Sequence, residues 1–170
     1  MIRPPINLKN WIENNRHLLK PPVGNQTVYD QGDFMIMVVG GPNSRKDYHV
    51  DPVEEFFFQI EGDMLLKVIE NGKRVDITIK EGEIFLLPKH LPHSPQRFSN
   101  TVGLVIEYKR EEGALDFFQW YCDDCDSLLN EVSLDLEDIV AQLPPLFKAY
   151  WEDIESRTCS DCGAIQEPPN

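Results

Sequence analysis

Two histidines and one glutamate set the chemistry that this chain can do. His49 and Glu55 lie six residues apart in the segment GPNSRKDYHVDPVEE, and Gly62 follows seven residues after the glutamate. His93 stands in a second segment, GEIFLLPKHLPHSPQR, after a strand-like run that ends in Pro88. Two neutral imidazoles and one carboxylate on one face of a ferrous ion leave coordination positions open, the arrangement used for oxygen chemistry. Glu54 and His90 are the competing donors. Glu55 has the spacing to Gly62, and His90 falls in a turn, so both competitors are expected outside the ligand set. A lone His17 on the first helix reads as a surface residue.

Four cysteines form a second constellation, Cys122-Asp-Asp-Cys125 and Cys159-Ser-Asp-Cys162. Two such knuckles can supply a tetrahedron of thiolates to zinc or to a single iron. A pair of redox dithiols is the alternative, and within the metal reading a structural staple is the ordinary role.

Strand parity gathers charge around the first constellation. Side chains at alternate positions of a strand share a face. Arg45, Asp47 and His49 therefore project together, as do Glu55, Phe57 and Gln59 on a second strand, and His93, Pro95 and Arg97 on a third. Buried charges without partners cost several kcal/mol, and a metal ion with an anionic substrate would satisfy this set.

The elements that must carry these residues are mostly strands. A helix capped by Asn7 is expected through Leu19, ended by Lys20-Pro21-Pro22. From Gln26 to Glu107 the pattern becomes short strands, including Phe34 to Val39, Ile84 to Leu87 and Thr101 to Tyr108. Asp63 to Glu70 should pair with Lys73 to Lys80 across Asn71-Gly72, a strong hairpin signal. This spacing indicates a sandwich or barrel. In the tail, strands are expected at Phe117 to Tyr121 and Ser127 to Val132. A helix capped by Ser133 should then cover Leu134 to Leu143, with Pro144-Pro145 interrupting it and a second helical stretch from Phe147 to Ile154. The last residues, Glu167 to Asn170, should fray.

The chain has 170 residues, enough for one barrel with a small appendage. Sixteen basic against twenty-nine acidic residues leave a net charge of −13, which disfavours nucleic acids and anionic membranes as partners. No apolar run is long enough to span a bilayer, so a cytoplasmic protein is expected.

The two histidine segments are similar to the paired motifs of the cupin superfamily, opened by Gly41 and Gly82. Asp47 stands where many cupins have a first histidine, and His90 where the second motif usually has glycine. More specifically, LLKPPVGNQ, VGGPN-x-R-x-DYH, EEFF, FLLP, HSPQR and WYCDDC-x-S resemble the short, bacterial and fungal 3-hydroxyanthranilate 3,4-dioxygenase family over about residues 6 to 165. The resemblance implies a mainly β fold, a double-stranded β-helix (jelly-roll barrel) over residues 1–112. Residues 113–170 would be a helical, rubredoxin-like extension holding iron or zinc on the four cysteines.

It further implies Fe(II) on His49, Glu55 and His93, and 3-hydroxyanthranilate and O2 as substrates. The product implied is 2-amino-3-carboxymuconate 6-semialdehyde, which cyclises to quinolinate on the kynurenine route to NAD. Arg97 would receive the substrate carboxylate, Arg45 would steady oxygen or a developing oxyanion, and Glu107 would accept the hydroxyl proton and orient Arg97. Asn25 and Pro95 would be further substrate contacts, and the assembly a homodimer. The competing readings are a non-catalytic cupin that binds a small aromatic acid, and a different cupin enzyme such as an isomerase.

Overall fold

The alternating apolar runs form eleven strands in the computed structural model, which describes residues 4–21 and 24–169. They are β1 (Asn25–Tyr29), β2 (Phe34–Gly40), β3 (Asp47–Val50), β4 (Glu55–Glu61), β5 (Met64–Glu70), β6 (Lys73–Ile79), β7 (Ile84–Leu87), β8 (His93–Arg97), β9 (Val102–Tyr108), β10 (Asp116–Tyr121) and β11 (Leu128–Leu134). Pro22 and Asn170, in the expected helix end and frayed tail, lie outside the described residues.

Two antiparallel sheets result, ordered β1-β2-β9-β4-β7 and β11-β10-β3-β8-β5-β6. This is the two-sheet barrel anticipated from the paired motifs. The expected hairpin forms in register, with Glu70 opposite Lys73. Asn71 and Gly72 have φ of 52° and 73°, the left-handed pair that a two-residue turn needs.

Alternation fixes what faces inward. On β4 the inward positions are Glu55, Phe57 and Gln59, and on β5 they are Met64, Leu66 and Val68, all buried. Met37, Val39, Leu87 and Val105 join these apolar side chains in one cluster between the sheets. Each such residue contributes about 1.5–3 kcal/mol by leaving water. That apolar floor carries the polar residues at the other end of the barrel.

The N-terminal helix α1 (Leu8–Asn15) is capped by Asn7, whose side chain accepts from the Asn10 N–H at 3.0 Å. It is shorter than expected. Arg16–Leu18 tighten into a 3-10 turn, and Leu19 buries with Ile12 against Val38 and Val102 on the outer face of the first sheet. Gly40 permits this, because a Cβ there would lie 2.1 Å from the Leu19 carbonyl oxygen.

The tail strands extend the second sheet: β10 pairs with β3, placing Phe118 opposite His49, and β11 pairs with β10. The helix expected over Leu134 to Leu143 is corrected. The chain stays extended through Leu134, and α2 spans Ile139–Glu152 with both Pro144 and Pro145 inside it. Asp138, rather than Ser133, accepts from the Ala141 N–H at 3.1 Å. An interior proline costs about 3 kcal/mol in a free helix. Here Leu143, Phe147 and Tyr150 pack on Phe118 and Trp120, and that burial offsets the lost backbone bonds. The stretch expected from Phe147 is the second half of the same helix, and Ile154 opens a separate short helix, α3 (Ile154–Arg157), capped by Asp153. Among the described residues, no helix is long and apolar enough to cross a membrane.

Candidate metal centre and substrate cavity

His49 on β3, Glu55 at the start of β4 and His93 at the start of β8 converge inside the barrel, with one donor atom of each within 4.8 Å of the others. Hydrogen bonding on the far side of each ring decides which nitrogen faces inward. The His93 Nδ1 lies 3.0 Å from the Leu91 carbonyl oxygen, which can only accept, so Nδ1 carries the proton. The lone pair of Nε2 then meets Glu55 Oε1 at 2.8 Å, yet that buried oxygen has no hydrogen bond. His49 Nε2 lies 2.6 Å from Asp116 Oδ1 and donates to it, which turns the Nδ1 lone pair toward Glu55 Oε1 at 4.0 Å. Three electron pairs therefore point at one place and require a cation. A carboxylate behind a ligating imidazole is the usual means of fixing its ring and tautomer.

Electrostatics gives the same answer. Burial works against ionisation of Glu55, but the positive charge of His93 prevails and holds its carboxyl at about 2. Burial likewise works against charging His93, and Glu55 pushes it above its ordinary value. Around this point Arg45, Arg97 and Arg110 face five carboxylates, Asp47, Asp51, Glu55, Glu107 and Asp116, all of them buried. With the five ionised the set carries a charge of −2, the complement of a divalent ion.

A cavity of about 120 Å³ opens beside the three donors, and Asn25, Arg45, Pro95, Arg97 and Glu107 all line it. The sequence-expected contacts are thus brought together. Their pairings differ from expectation in one respect. Glu107 does not orient Arg97: its Oε1 accepts from Arg110 Nη1 at 2.9 Å. Glu107 lies opposite Glu55 across β9 and β4, and burial, then repulsion from Glu55, pushes its carboxyl up to about 7 against the pull of Arg110.

Arg97 is 4% exposed, and among the described residues its only side-chain hydrogen bond is to Gln59 Oε1 at 3.3 Å. No carboxylate among the described residues lies within 4.0 Å of it, and burial lowers its pKa to about 10. Gly103 makes room for the pair, since a Cβ there would sit 2.6 Å from Arg97 Nη1. Arg45, by contrast, is engaged by Asp47 through Nε and Nη2. Asp47 therefore restrains an arginine and is absent from the convergent donor set.

Residue types and strand parity give no role to Arg110 or Asp116, and place Gln59 on the inner face without a partner. Arg110 and Asp116 hold the ligand cluster from behind, and Gln59 touches Arg97. The spacing Glu107-x-x-Arg110 and the inward parity of Gln59 were the available signals. His90 is exposed in a turn with φ of 61°, a conformation that favours glycine, and its backbone N–H donates to the Asp51 carbonyl. It belongs to none of the convergent donor groups found among the described residues, as expected for a residue outside the ligand set. His17 is also exposed.

The four cysteines form the second cluster. Cys122 and Cys162 have their sulfurs 3.5 Å apart, and Cys125 and Cys159 3.6 Å. A tetrahedron of thiolates about 2.3 Å from a metal has edges of about 3.8 Å, whereas a disulfide would need about 2 Å. The knuckles also share one backbone form. Cys122 and Cys159 donate to the carbonyls of Ser127 and Ala164, and accept from the N–H groups of Asp126 and Gly163. Asp126 and Gly163 both have positive φ, 65° and 79°.

A family model described as 3-hydroxyanthranilic acid dioxygenase matches residues 1–151. A 3-hydroxyanthranilate 3,4-dioxygenase of Jannaschia sp. (strain CCS1) is 55% identical over 167 residues, 96% of this chain and 93% of that protein. Those of Shewanella woodyi and Xanthomonas euvesicatoria pv. vesicatoria are 53% and 51% identical, covering 96% and 99% of this chain and 88% and 96% of those proteins. Among solved structures, protein NMB1881 from Neisseria meningitidis shares the fold, with a TM-score of 0.50 and 24% identity over 62% of this chain and 100% of that one. A cupin-2 domain containing protein from Shewanella frigidimarina gives a TM-score of 0.46 at 18% identity, over 62% of this chain and 94% of that one. With the family model matching residues 1–151 and half or more of the residues shared with relatives over nearly their full length, the chain belongs to the 3-hydroxyanthranilic acid dioxygenase family.

Proposed function

We propose that the protein opens the ring of 3-hydroxyanthranilate with O2 at a single non-haem Fe(II) held by His49, Glu55 and His93. The observation that carries this reading is Arg97: a buried guanidinium with no carboxylate partner among the described residues, in the same cavity as three convergent metal donors. A planar fork of this kind binds a carboxylate bidentately. It suits an aromatic acid whose hydroxyl and amine are directed toward the metal. When bound, the ferrous ion supplies electron transfer between ring and O2, which these side chains cannot provide.

The side chains do the rest. Arg97 fixes the carboxylate and with it the orientation of the ring. Glu107 accepts the proton of the ring hydroxyl, and Arg110 keeps it in place. Arg45, steadied by Asp47, offers positive charge to oxygen as negative charge develops there. Asn25 and Pro95 complete the wall of the substrate cavity. Both atoms of O2 enter the product and the C3–C4 bond breaks, giving 2-amino-3-carboxymuconate 6-semialdehyde. Loss of water on cyclisation then yields quinolinate. No electron is left over, so the cysteine site, holding iron or zinc, has a structural role.

The chain is inferred to work as a homodimer. Ile84 and Leu86 on the edge strand β7, 64% and 56% exposed, offer an apolar surface for a second copy.

Substrate choice tests the reading. Iron-loaded protein in air should open 3-hydroxyanthranilate with a kcat/KM at least about 100-fold above that for 2-aminophenol, which lacks only the carboxylate. Equal rates on the two would remove the carboxylate from recognition, and no ring opening of either would refute the assignment.

A further inference from the structure

Arg110 lies just beyond β9, and its guanidinium reaches three buried carboxylates that come from three different parts of the chain. Nε donates to both oxygens of Asp116, at 3.0 and 2.8 Å, and Nη2 donates to Asp116 Oδ1 at 2.7 Å. Nη2 also donates to Asp51 Oδ2 at 2.8 Å, and Nη1 to Glu107 Oε1 at 2.9 Å. Asp116 is fully buried and Asp51 is 2% exposed. Oxygens of Asp51, Glu55 and Glu107 lie within 4.8 Å of one another, so without a cation between them these groups would repel and spread apart. The loser would be His49, whose Nε2 proton goes to the same Asp116 oxygen that Arg110 grips twice.

Resting on the reading that His49, Glu55 and His93 hold the ferrous ion, we propose that Arg110 is a positioning residue. It locks Asp116 against His49 and so sets the metal affinity of the centre, while the same guanidinium holds Glu107 in place as proton acceptor. Its donors reach three carboxylates at once, so a lysine cannot replace it: an ammonium is a point charge and lacks the planar fork. The arrangement also explains why a fully buried aspartate is set against a partly buried arginine here, when an apolar pair would fold as well. Their joint product is the orientation of one imidazole.

The test is anaerobic competition for Fe(II) between the full-length protein and a ferrous chelator of known affinity. This readout needs no substrate and no turnover. Arg110→Met should weaken iron binding about 10–100-fold, the usual effect of removing the support behind a ligand, with the far-ultraviolet circular dichroism unchanged. Asp116→Asn should weaken it by a similar factor, and the double variant should bind no worse than about threefold below the weaker single one, because both changes break one path. Arg110→Lys retains the charge that allows folding and should still lose about tenfold, so it decides the matter if Arg110→Met does not fold. Unchanged iron affinity in a folded Arg110→Lys or Arg110→Met protein, or effects that multiply in full in the double variant, would overturn the proposal. A wild-type protein that binds iron but opens no ring would instead refute the dioxygenase reading and leave the affinity comparison standing.

Discussion

In the proposed reading Arg97 decides which acid the cavity accepts, because among the described residues no carboxylate lies within 4.0 Å of this buried cation. Arg97→Met should cost about 2–5 kcal/mol of binding to 3-hydroxyanthranilate, which is roughly 30-fold or more in kcat/KM. The same variant should treat 2-aminophenol within a few-fold of wild type, since that molecule has no carboxylate to lose. Steady-state kinetics on both compounds separate the outcomes, and equal losses on both would move the carboxylate to another residue. Arg97 was legible in the chain through its parity with His93, as were His49 and Glu55 through their spacing. Asp116 was not, because the imidazole it supports lies on another strand, 67 positions away, and nothing local ties Arg110 to that imidazole. Parity shows that a side chain points inward, but not which carboxylate it meets. The resemblance implies that Glu107 orients Arg97, and the structure pairs it with Arg110 instead.

At the scale of elements, strands were easier to read than the helix that follows them. Alternation and the Asn71-Gly72 turn specify β5 and β6 locally, and the observed register agrees. The prolines of α2 misled the reading, because proline rules describe an isolated helix while Leu143, Phe147 and Tyr150 are held by Phe118 and Trp120. Pro145→Ala would restore a backbone donor inside α2. It should raise stability by about 1–3 kcal/mol, seen as a higher thermal midpoint with activity unaltered. A lower midpoint would show that the proline ring packs better than a helical alanine. On β9, Gly103 is a position where a single methyl group reaches function. A Cβ there would come within 2.6 Å of Arg97 Nη1 and 2.9 Å of Gln59 Oε1, so Gly103→Ala should displace the guanidinium. We expect a loss of about 1–3 kcal/mol in stability and a raised KM, with iron content unchanged. An unchanged KM would mean that Arg97 moves aside without consequence.

Across the whole molecule, one strand joins the two candidate metal sites. Along β10 and just past it, Asp116 holds His49, Phe118 stacks on the His49 ring at 5.0 Å, Trp120 packs under α2 and Cys122 opens the first knuckle. The second knuckle returns from beyond α3, so a metal on the four sulfurs staples the chain's end to the sheet. Metal-binding energy of this kind acts as folding energy. Cys122→Ser with Cys125→Ser should therefore lower the thermal midpoint or the yield of folded protein, while turnover per folded, iron-loaded molecule largely survives. Loss of turnover in a variant that stays folded and keeps its His–Glu iron would favour a direct redox role.

In the proposed reaction one ferrous centre puts both atoms of O2 into the ring and needs no outside electrons. Its most direct test is the stoichiometry of oxygen uptake against ring-opened product, with metal-free protein reconstituted with Fe(II) and given 3-hydroxyanthranilate without any reductant. We expect one O2 consumed per ring opened, over many turnovers, and none with His93→Ala, which lacks one of the three donors. Uptake that depends on an added reductant, or product formed equally well by His93→Ala, would contradict the account.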